Sequence, residues 1–405
     1  MKTIVISDLH LGLDDSLSET VKNRPKLAAF IKMIGREHLA DELVINGDFL
    51  DHWFYPATAN APCTSHEFYK ACAKNNAEVI EAIKDLVCSG TPVVYVPGNH
   101  DMTLTSEALE EIIPGIIQAR DMPGLGRYRT GVRGKIVIEH GHRYEILCAP
   151  NTIANASIME YGHPLLPPGY FFIRLKERSI AEGRYANPTR NAACRKVPPT
   201  LPEPDPNDKR ACAEYAYWKL WADIVSNWFP VEEELDDKFI EVAVDGLVGT
   251  FSPRDLLPVT LPGEDSASPL FQELIPTWDE MQRRNLVPTP ISAQHSIEHP
   301  TSDEEDIEVL PTLEFFDVDP SADVVVLGHT HVAGYKEFPG YDRPKIFANS
   351  GTWVDFNGND PENTATFALV ESTSEGDTVS VLKCEGKNTV ERIVPVQNDH
   401  IRPTK

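Results

Sequence analysis

Five short motifs carry the residues able to do chemistry: Asp8-Leu9-His10, Gly47-Asp48-Phe49-Leu50-Asp51, Gly98-Asn99-His100-Asp101, His140-Gly141-His142 and Gly328-His329-Thr330-His331. Residues i and i+2 of an extended segment point to one side, so Asp8 and His10 can face one ion, as can His329 and His331. The glycines beside them let the backbone turn sharply and approach an ion or a phosphate closely. The motifs differ in weight. An Asp-x-His triplet arises by chance about every second or third time in a chain of this length, whereas Gly-His-x-His is expected only about 0.02 times. Their occurrence together and in order carries the inference that they form a metal centre.

Such a centre needs a scaffold, and the pattern of apolar runs supplies one. Ile4-Val5-Ile6, Leu43-Val44-Ile45, Val93-Val94-Tyr95-Val96 and Ile136-Val137-Ile138 read as buried strands. Helical stretches around Leu27 to Ile31 and Glu78 to Val87 separate them, which implies βαβ units and a largely parallel sheet. The texture resumes at Val324 to Leu327 and Lys345 to Ala348, then in a hairpin formed by Ala365 to Val370 and Thr378 to Leu382. Each motif falls at or beyond the end of a strand, where ligands gather in open α/β sheets. The middle of the chain differs. Of 33 prolines, 20 lie between Pro150 and Pro311, so that region reads as loops joining a few helices. Its best helix runs from about Ala211 to Trp228, with Tyr217, Trp218, Trp221, Ile224, Val225 and Trp228 forming a core stripe. The acidic cluster from Thr301 to Glu308 reads as a solvated loop.

The bulk numbers narrow the function classes. The 405 residues carry a net charge of −25, which argues against a broad grip on nucleic acid or anionic lipid. Seven widely spaced cysteines without a CxxC pair fit a reducing compartment. The first candidate ligand is already at position 8, leaving no room for a cleaved leader, and no apolar run is long enough to span a membrane. A cytoplasmic location is therefore expected.

The ordered set D-x-H, G-D-x-x-D, G-N-H-D, a histidine and G-H-x-H resembles the signature of the calcineurin-like metallophosphoesterase superfamily, across about residues 1–142 and 324–356. Asn349-Ser350-Gly351-Thr352 resembles that family's closing loop. The resemblance implies an α/β fold in which a two-layer β sandwich is flanked by helices. It further implies one metal held by Asp8, His10, Asp48 and His331, and another held by Asp48, Asn99, His140 and His329, with Asp48 bridging. Such a mixed His, Asp and Asn set suits two divalent ions such as Mn, Fe or Zn and excludes a thiolate site. Two ions can clamp the attacking and leaving oxygens of an in-line displacement at phosphorus, with a bridging water as nucleophile. His100 would then serve as proton donor or phosphate contact, with Asp101 orienting it. Asp51 is expected to support the loop or a ligand histidine, and His142 to stand behind the ligands or face substrate.

The catalytic domain is expected at 1–150 and 311–405, and the Pro-rich 151–310 is expected to pack as a large, mainly helical and loop cap over the site. Residues 151–200 hold seven basic residues against three acidic, which makes Arg174 and Arg178 candidate contacts for substrate phosphate. The implied substrate is a small phosphorylated or nucleotide-linked molecule rather than nucleic acid. Gly47 to Trp53 also resembles the UDP-2,3-diacylglucosamine pyrophosphatase subgroup, although His100 stands where that subgroup typically has Arg. A nucleotide-linked pyrophosphatase and an inactive binding module on the same fold are the remaining alternatives. All seven ligand positions being filled disfavours the second. Phe49, His52 and Trp53 depart from the pattern of Ser/Thr protein phosphatases.

Overall fold

The computed structural model describes residues 1–55, 64–151, 153, 166–184, 196–245, 247–268, 270–298 and 310–396. The acidic cluster at 301–308 lies outside the described residues. The chain forms two compact units. The first comprises Met1–His52, His66–His142 and Thr301–Lys405, and the second Trp53–Ser65 and Arg143–Pro300.

Two sheets build the first unit. In one, β1 (Lys2–Ile6), β2 (Glu42–Asn46), β3 (Val93–Val96) and β4 (Ile117–Gln118) run parallel. Beyond β1 this sheet continues antiparallel through β12 (Thr366–Ser372), β13 (Asp377–Glu385) and β14 (Arg392–Pro395). The other sheet has β9 (Val324–Leu327) parallel to both β6 (Ile136–Ile138) and β11 (Lys345–Asn349), with β5 (Tyr128–Thr130) and β10 (Gly334–Phe338) as antiparallel edges. Val5, Val44, Val94 and Val96 of the first sheet share one buried cluster with Ile138, Val324, Val326, Ile346 and Ala348 of the second. That shared core makes the unit a two-layer sandwich.

Helices cover the outer faces, which is why the strands read as unbroken apolar runs rather than alternating ones. Val325, Leu327 and Phe347 turn away from the shared core and pack with Phe315 and Phe316 of the helix Leu310–Val318. On the first sheet, α1 (Arg24–Glu37) sets Phe30 4.6 Å from Phe367. It starts at a proline suited to the first helical turn and ends at His38 in the left-handed conformation, whose N–H closes onto the Ile34 carbonyl. The helix α2 (Ser65–Asn75) leads into α3 (Ala77–Cys88), and α4 (Ser106–Ile112) is capped by the Thr105 hydroxyl. Asp323, at the head of β9, ties three cations together: Lys345 of β11 at 2.9 Å, Arg133 at 2.8 Å and Lys135 at 3.4 Å.

The second unit holds α5 (Pro168–Ala181), α6 (Lys209–Asp223), α7 (Trp278–Arg284) and α8 (Ala293–Glu298). It also holds a hairpin absent from the sequence expectation, β7 (Ile240–Val244) with β8 (Leu247–Phe251). Tyr217, Trp221, Ile224 and Val225 are buried as expected, but the last turn, Ile224–Trp228, widens to a π-helix. That widening leaves Trp228 48% exposed, outside the core stripe. Among the described residues, Cys88, Cys212 and Cys384 are free thiols. No described helix is long and apolar enough to cross a membrane.

Candidate metal centre

The candidate ligands follow closely on the strands: Asp8 and His10 on β1, Asp48 on β2, Asn99 on β3, His140 on β6, and His329 and His331 on β9. Five of these seven positions have left-handed backbone, with φ of 54° at Asp8, 41° at His10, 51° at Asp48, 73° at His329 and 65° at His331. Non-glycine residues adopt that region rarely, at a cost of about 1–3 kcal/mol each. Their concentration here shows a backbone bent to bring side chains together. Glycines make the approach possible. A Cβ on Gly98 would stand 2.2 Å from Asp48 Oδ1, one on Gly47 2.4 Å from His140 Nδ1, and one on Gly328 2.8 Å from Asp8 Oδ2.

Both carboxylates are divided in the same manner. Asp8 Oδ2 accepts the His329 N–H at 3.0 Å, while Oδ1 has no hydrogen-bond partner although it is fully buried. Around Oδ1 stand His331 Nε2 at 3.2 Å, His140 Nε2 at 3.9 Å and His10 Nε2 at 4.0 Å. Asp48 Oδ1 accepts the His100 N–H at 2.8 Å, and Oδ2 lies 3.2 Å from His140 Nε2 and 3.7 Å from His10 Nε2. His10 and His331 bring their Nε2 atoms to 3.1 Å, and Asn99 Oδ1 is 3.2 Å from His140 Nε2. Two ligands each about 2.1 Å from a shared ion stand roughly 3.0–3.4 Å apart. Five groups of described residues bring their ligand atoms within 4.8 Å of one another, among them Asp8, His10 and His331, and Asp48, His140 and His329. Asp48 Oδ2 reaches toward histidines of both. An orphaned buried oxygen ringed by imidazole nitrogens fits a metal.

Outer partners aim these rings. His140 Nδ1 donates to the Asn46 carbonyl at 2.8 Å and His10 Nδ1 to Asp51 Oδ2 at 2.8 Å, which leaves Nε2 of each facing inward. Charge balance follows. Burial alone would lower both imidazoles, but Asp51, Asp48 and Glu19 raise His10 to about 10, and Asp48 and Asp8 raise His140 to about 9. Burial would raise the two aspartates, yet the surrounding histidines hold Asp8 below and Asp48 well below the usual carboxylate value. The protein alone thus compensates its carboxylates with imidazolium charge, which a divalent cation can replace.

His100 is placed otherwise than its sequence neighbour suggested. Its Nδ1 meets Asp51 Oδ1 at 2.8 Å, so Asp51 spans His100 and the ligand His10. Asp101, expected to orient His100, instead accepts the Gly98 and Phe49 N–H groups at 2.7 Å each and ties two ligand loops together. Burial and the Asp48 charge raise Asp101 to about 6. His142 is buried behind His140, ring centroids 5.3 Å apart, with Nε2 donating to the Gly124 carbonyl at 2.9 Å. Burial, with the nearby His140 and His329, holds it well below the usual imidazole value, and the residue is 1% exposed. The arginines are also spent elsewhere. Arg174 is buried against Glu177 and the Tyr55 carbonyl, and Arg178 bonds Glu182 at 2.8 Å, the Phe239 carbonyl at 3.0 Å and Glu233 at 3.1 Å. These partners give both arginines a structural duty within the second unit.

Three supporting groups were not foreseen as such: Asn357 and Asn359 had no signature in the sequence, and Thr352 belongs to the closing-loop motif. Asn357 Nδ2 donates to the His331 carbonyl at 2.8 Å, Asn359 Nδ2 to the Thr330 carbonyl at 2.9 Å, and Thr352 Oγ1 to the Asp8 carbonyl at 2.9 Å. Each bonds backbone far away in the chain.

A family model described as calcineurin-like phosphoesterase matches residues 1–333. The chain belongs to that family. Among solved structures, this calcineurin-like phosphoesterase is similar to the crystal structure of phosphopantetheinyl hydrolase from Mycobacterium tuberculosis. The two are 13% identical, with 87% of this chain and 89% of that chain covered, at a TM-score of 0.26. A search of curated protein sequences finds no match.

Proposed function

We propose that the protein hydrolyses a phosphate ester with two divalent metal ions, one held by Asp8, His10, Asp48 and His331 and the other by Asp48, Asn99, His140 and His329. The observation that carries this reading is the fully buried Asp8 Oδ1 facing three imidazole nitrogens, the nearest His331 Nε2 at 3.2 Å, with Asp48 Oδ2 set between histidines of both groups. The donor set suits Mn, Fe or Zn. When bound, such a pair of ions supplies the Lewis acidity that draws charge from the phosphoryl group and acidifies water. The chain's own residues do the rest. Asp51 holds the proton on His100 Nδ1, which commits Nε2 to the exchange with the leaving oxygen. The side chain of His100 is 12% exposed, so it can meet substrate where Asp8 and Asp48 cannot.

Metal analysis after reconstitution is expected to give about two ions per chain. Asp48→Ala should lower that content and abolish turnover of p-nitrophenyl phosphate and of bis-p-nitrophenyl phosphate. Turnover retained in Asp48→Ala would refute the assignment, and the ratio of the two substrates in the wild type separates monoester from diester chemistry.

A further inference from the structure

The side chain of His331 is 20% exposed, whereas those of Asp8, His10, Asp48 and His140 are at most 2% exposed. Packing therefore does less to fix it, although its Nε2 stands 3.2 Å from Asp8 Oδ1 and 3.1 Å from His10 Nε2. Its backbone is left-handed, with φ of 65°, a conformation that persists only where the surroundings dictate it. The loop between β11 and β12 supplies that constraint. Asn359 Nδ2 donates to the Thr330 carbonyl at 2.9 Å, and Asn357 Nδ2 donates to the His331 carbonyl at 2.8 Å. Those two carbonyls belong to the peptide planes just before and just after the His331 Cα. Peptide units are rigid, so holding both planes restrains the φ and ψ between them.

The two amides act together. Asn357 is 3% exposed and all its polar positions are engaged. Its Nδ2 donates also to the Asn363 carbonyl at 3.0 Å, and its Oδ1 accepts the Asn359 and Asp360 N–H groups at 3.1 and 3.2 Å. The turn closed in this way presents both amides to successive carbonyls. The other candidate metal position is held by different means. Asp48 is bent in the same sense, with φ of 51°, yet its carbonyl accepts the main-chain N–H groups of Leu9 and His10 at 2.8 and 2.9 Å. The His140 carbonyl likewise accepts the Gly328 N–H at 2.9 Å. Among the described residues no main-chain N–H meets the His331 carbonyl. A side-chain substitution can thus loosen one position and spare the other.

Resting on the two-metal reading above, we propose that Asn357 and Asn359 are positioning residues for His331, and that they govern retention of the ion placed at Asp8, His10 and His331. Equilibrium dialysis of the full-length protein against Mn(II), followed by electron paramagnetic resonance, tests this. The wild type should hold two ions and show the spectrum of a spin-coupled pair. Asn359→Ala changes an exposed side chain, and Asn357→Asp keeps the acceptor that closes the turn but loses the donor. Each should weaken one ion by about 10–100-fold, the usual loss for an outer partner of a metal-ligating histidine. At limiting metal both variants should then give the spectrum of an isolated Mn(II). Adding His10→Ala to Asn359→Ala should cost no further metal, whereas adding His140→Ala should empty the chain. Retention of both ions at wild-type affinity by either variant, or loss of both ions together, would overturn the proposal and leave the two-metal centre standing. A wild type that holds fewer than two ions would overturn both.

Discussion

Asp51 is a single carboxylate with two imidazole partners, each at 2.8 Å, one from a candidate ligand and one from the candidate acid. Replacing it with Asn keeps the shape but can satisfy only one ring as acceptor. Outer partners of metal-ligating histidines are typically worth 10–100-fold in affinity or activity. Asp51→Asn should therefore lose activity by about that factor, with weaker metal retention on dialysis. Asp101→Asn should act differently, through loosened loops, and lower the melting temperature more than it alters the pH profile of kcat. Sequence adjacency favoured Asp101 as the partner of His100, yet successive side chains diverge, and the true partner lies 49 positions away. The candidate ligands were legible as motifs, because each sits beside a glycine or a second candidate ligand on a strand end. Asn357 and Asn359 were not, since a carbonyl 26 or 29 residues away leaves no spacing to read.

At the level of elements, β-branched runs with two covered faces announced β1, β2, β3, β6, β9 and β11. The strands that escaped notice are short or at an edge: β4 has two residues, β5 has three, β10 reads Gly-Tyr-Lys-Glu-Phe without an apolar run, and β14 is a four-residue edge. The hairpin β7–β8 alternates in places but lies in proline-rich surroundings that suggested loops. One ion cluster staples elements that hydrophobic pattern alone does not join. Asp323 holds Lys345 across β9 and β11, and Lys345 is buried, with the Pro320 and Ala322 carbonyls as further acceptors. Burial would raise Asp323, but the bonded Lys345, with Lys135 and Arg133, keeps it below the usual carboxylate value. A carboxyl lowered on folding stabilises the native state above its unfolded value near about pH 4, and that contribution fades as pH falls through the folded value. Asp323→Asn should cost on the order of 3 kcal/mol at pH 7 in urea unfolding, because a buried ammonium loses its counter-charge. The gap from wild type should narrow near pH 3; an equal gap at both pH values would count against the charge.

Across the whole molecule, a net charge of −25 opposes the approach of any anionic phosphate, whatever the ions at the centre attract. Raising ionic strength from about 10 mM to about 150 mM shortens the screening length from about 30 Å to about 8 Å. The kcat/KM for a dianionic substrate should therefore rise by roughly two- to threefold with salt, while a neutral phosphotriester should show no such trend. A fall with salt would mean that the local field of the centre outweighs the rest of the surface. The close quarters of that centre also have a consequence for heredity. Gly47, Gly98 and Gly328 donate no atom to a metal, yet a methyl group on any of them would stand inside the space of Asp48, His140 or Asp8. In a randomised library selected for turnover, these three silent positions would be fixed as strictly as the ligands. Even alanine, the smallest replacement, would be rejected at each of them.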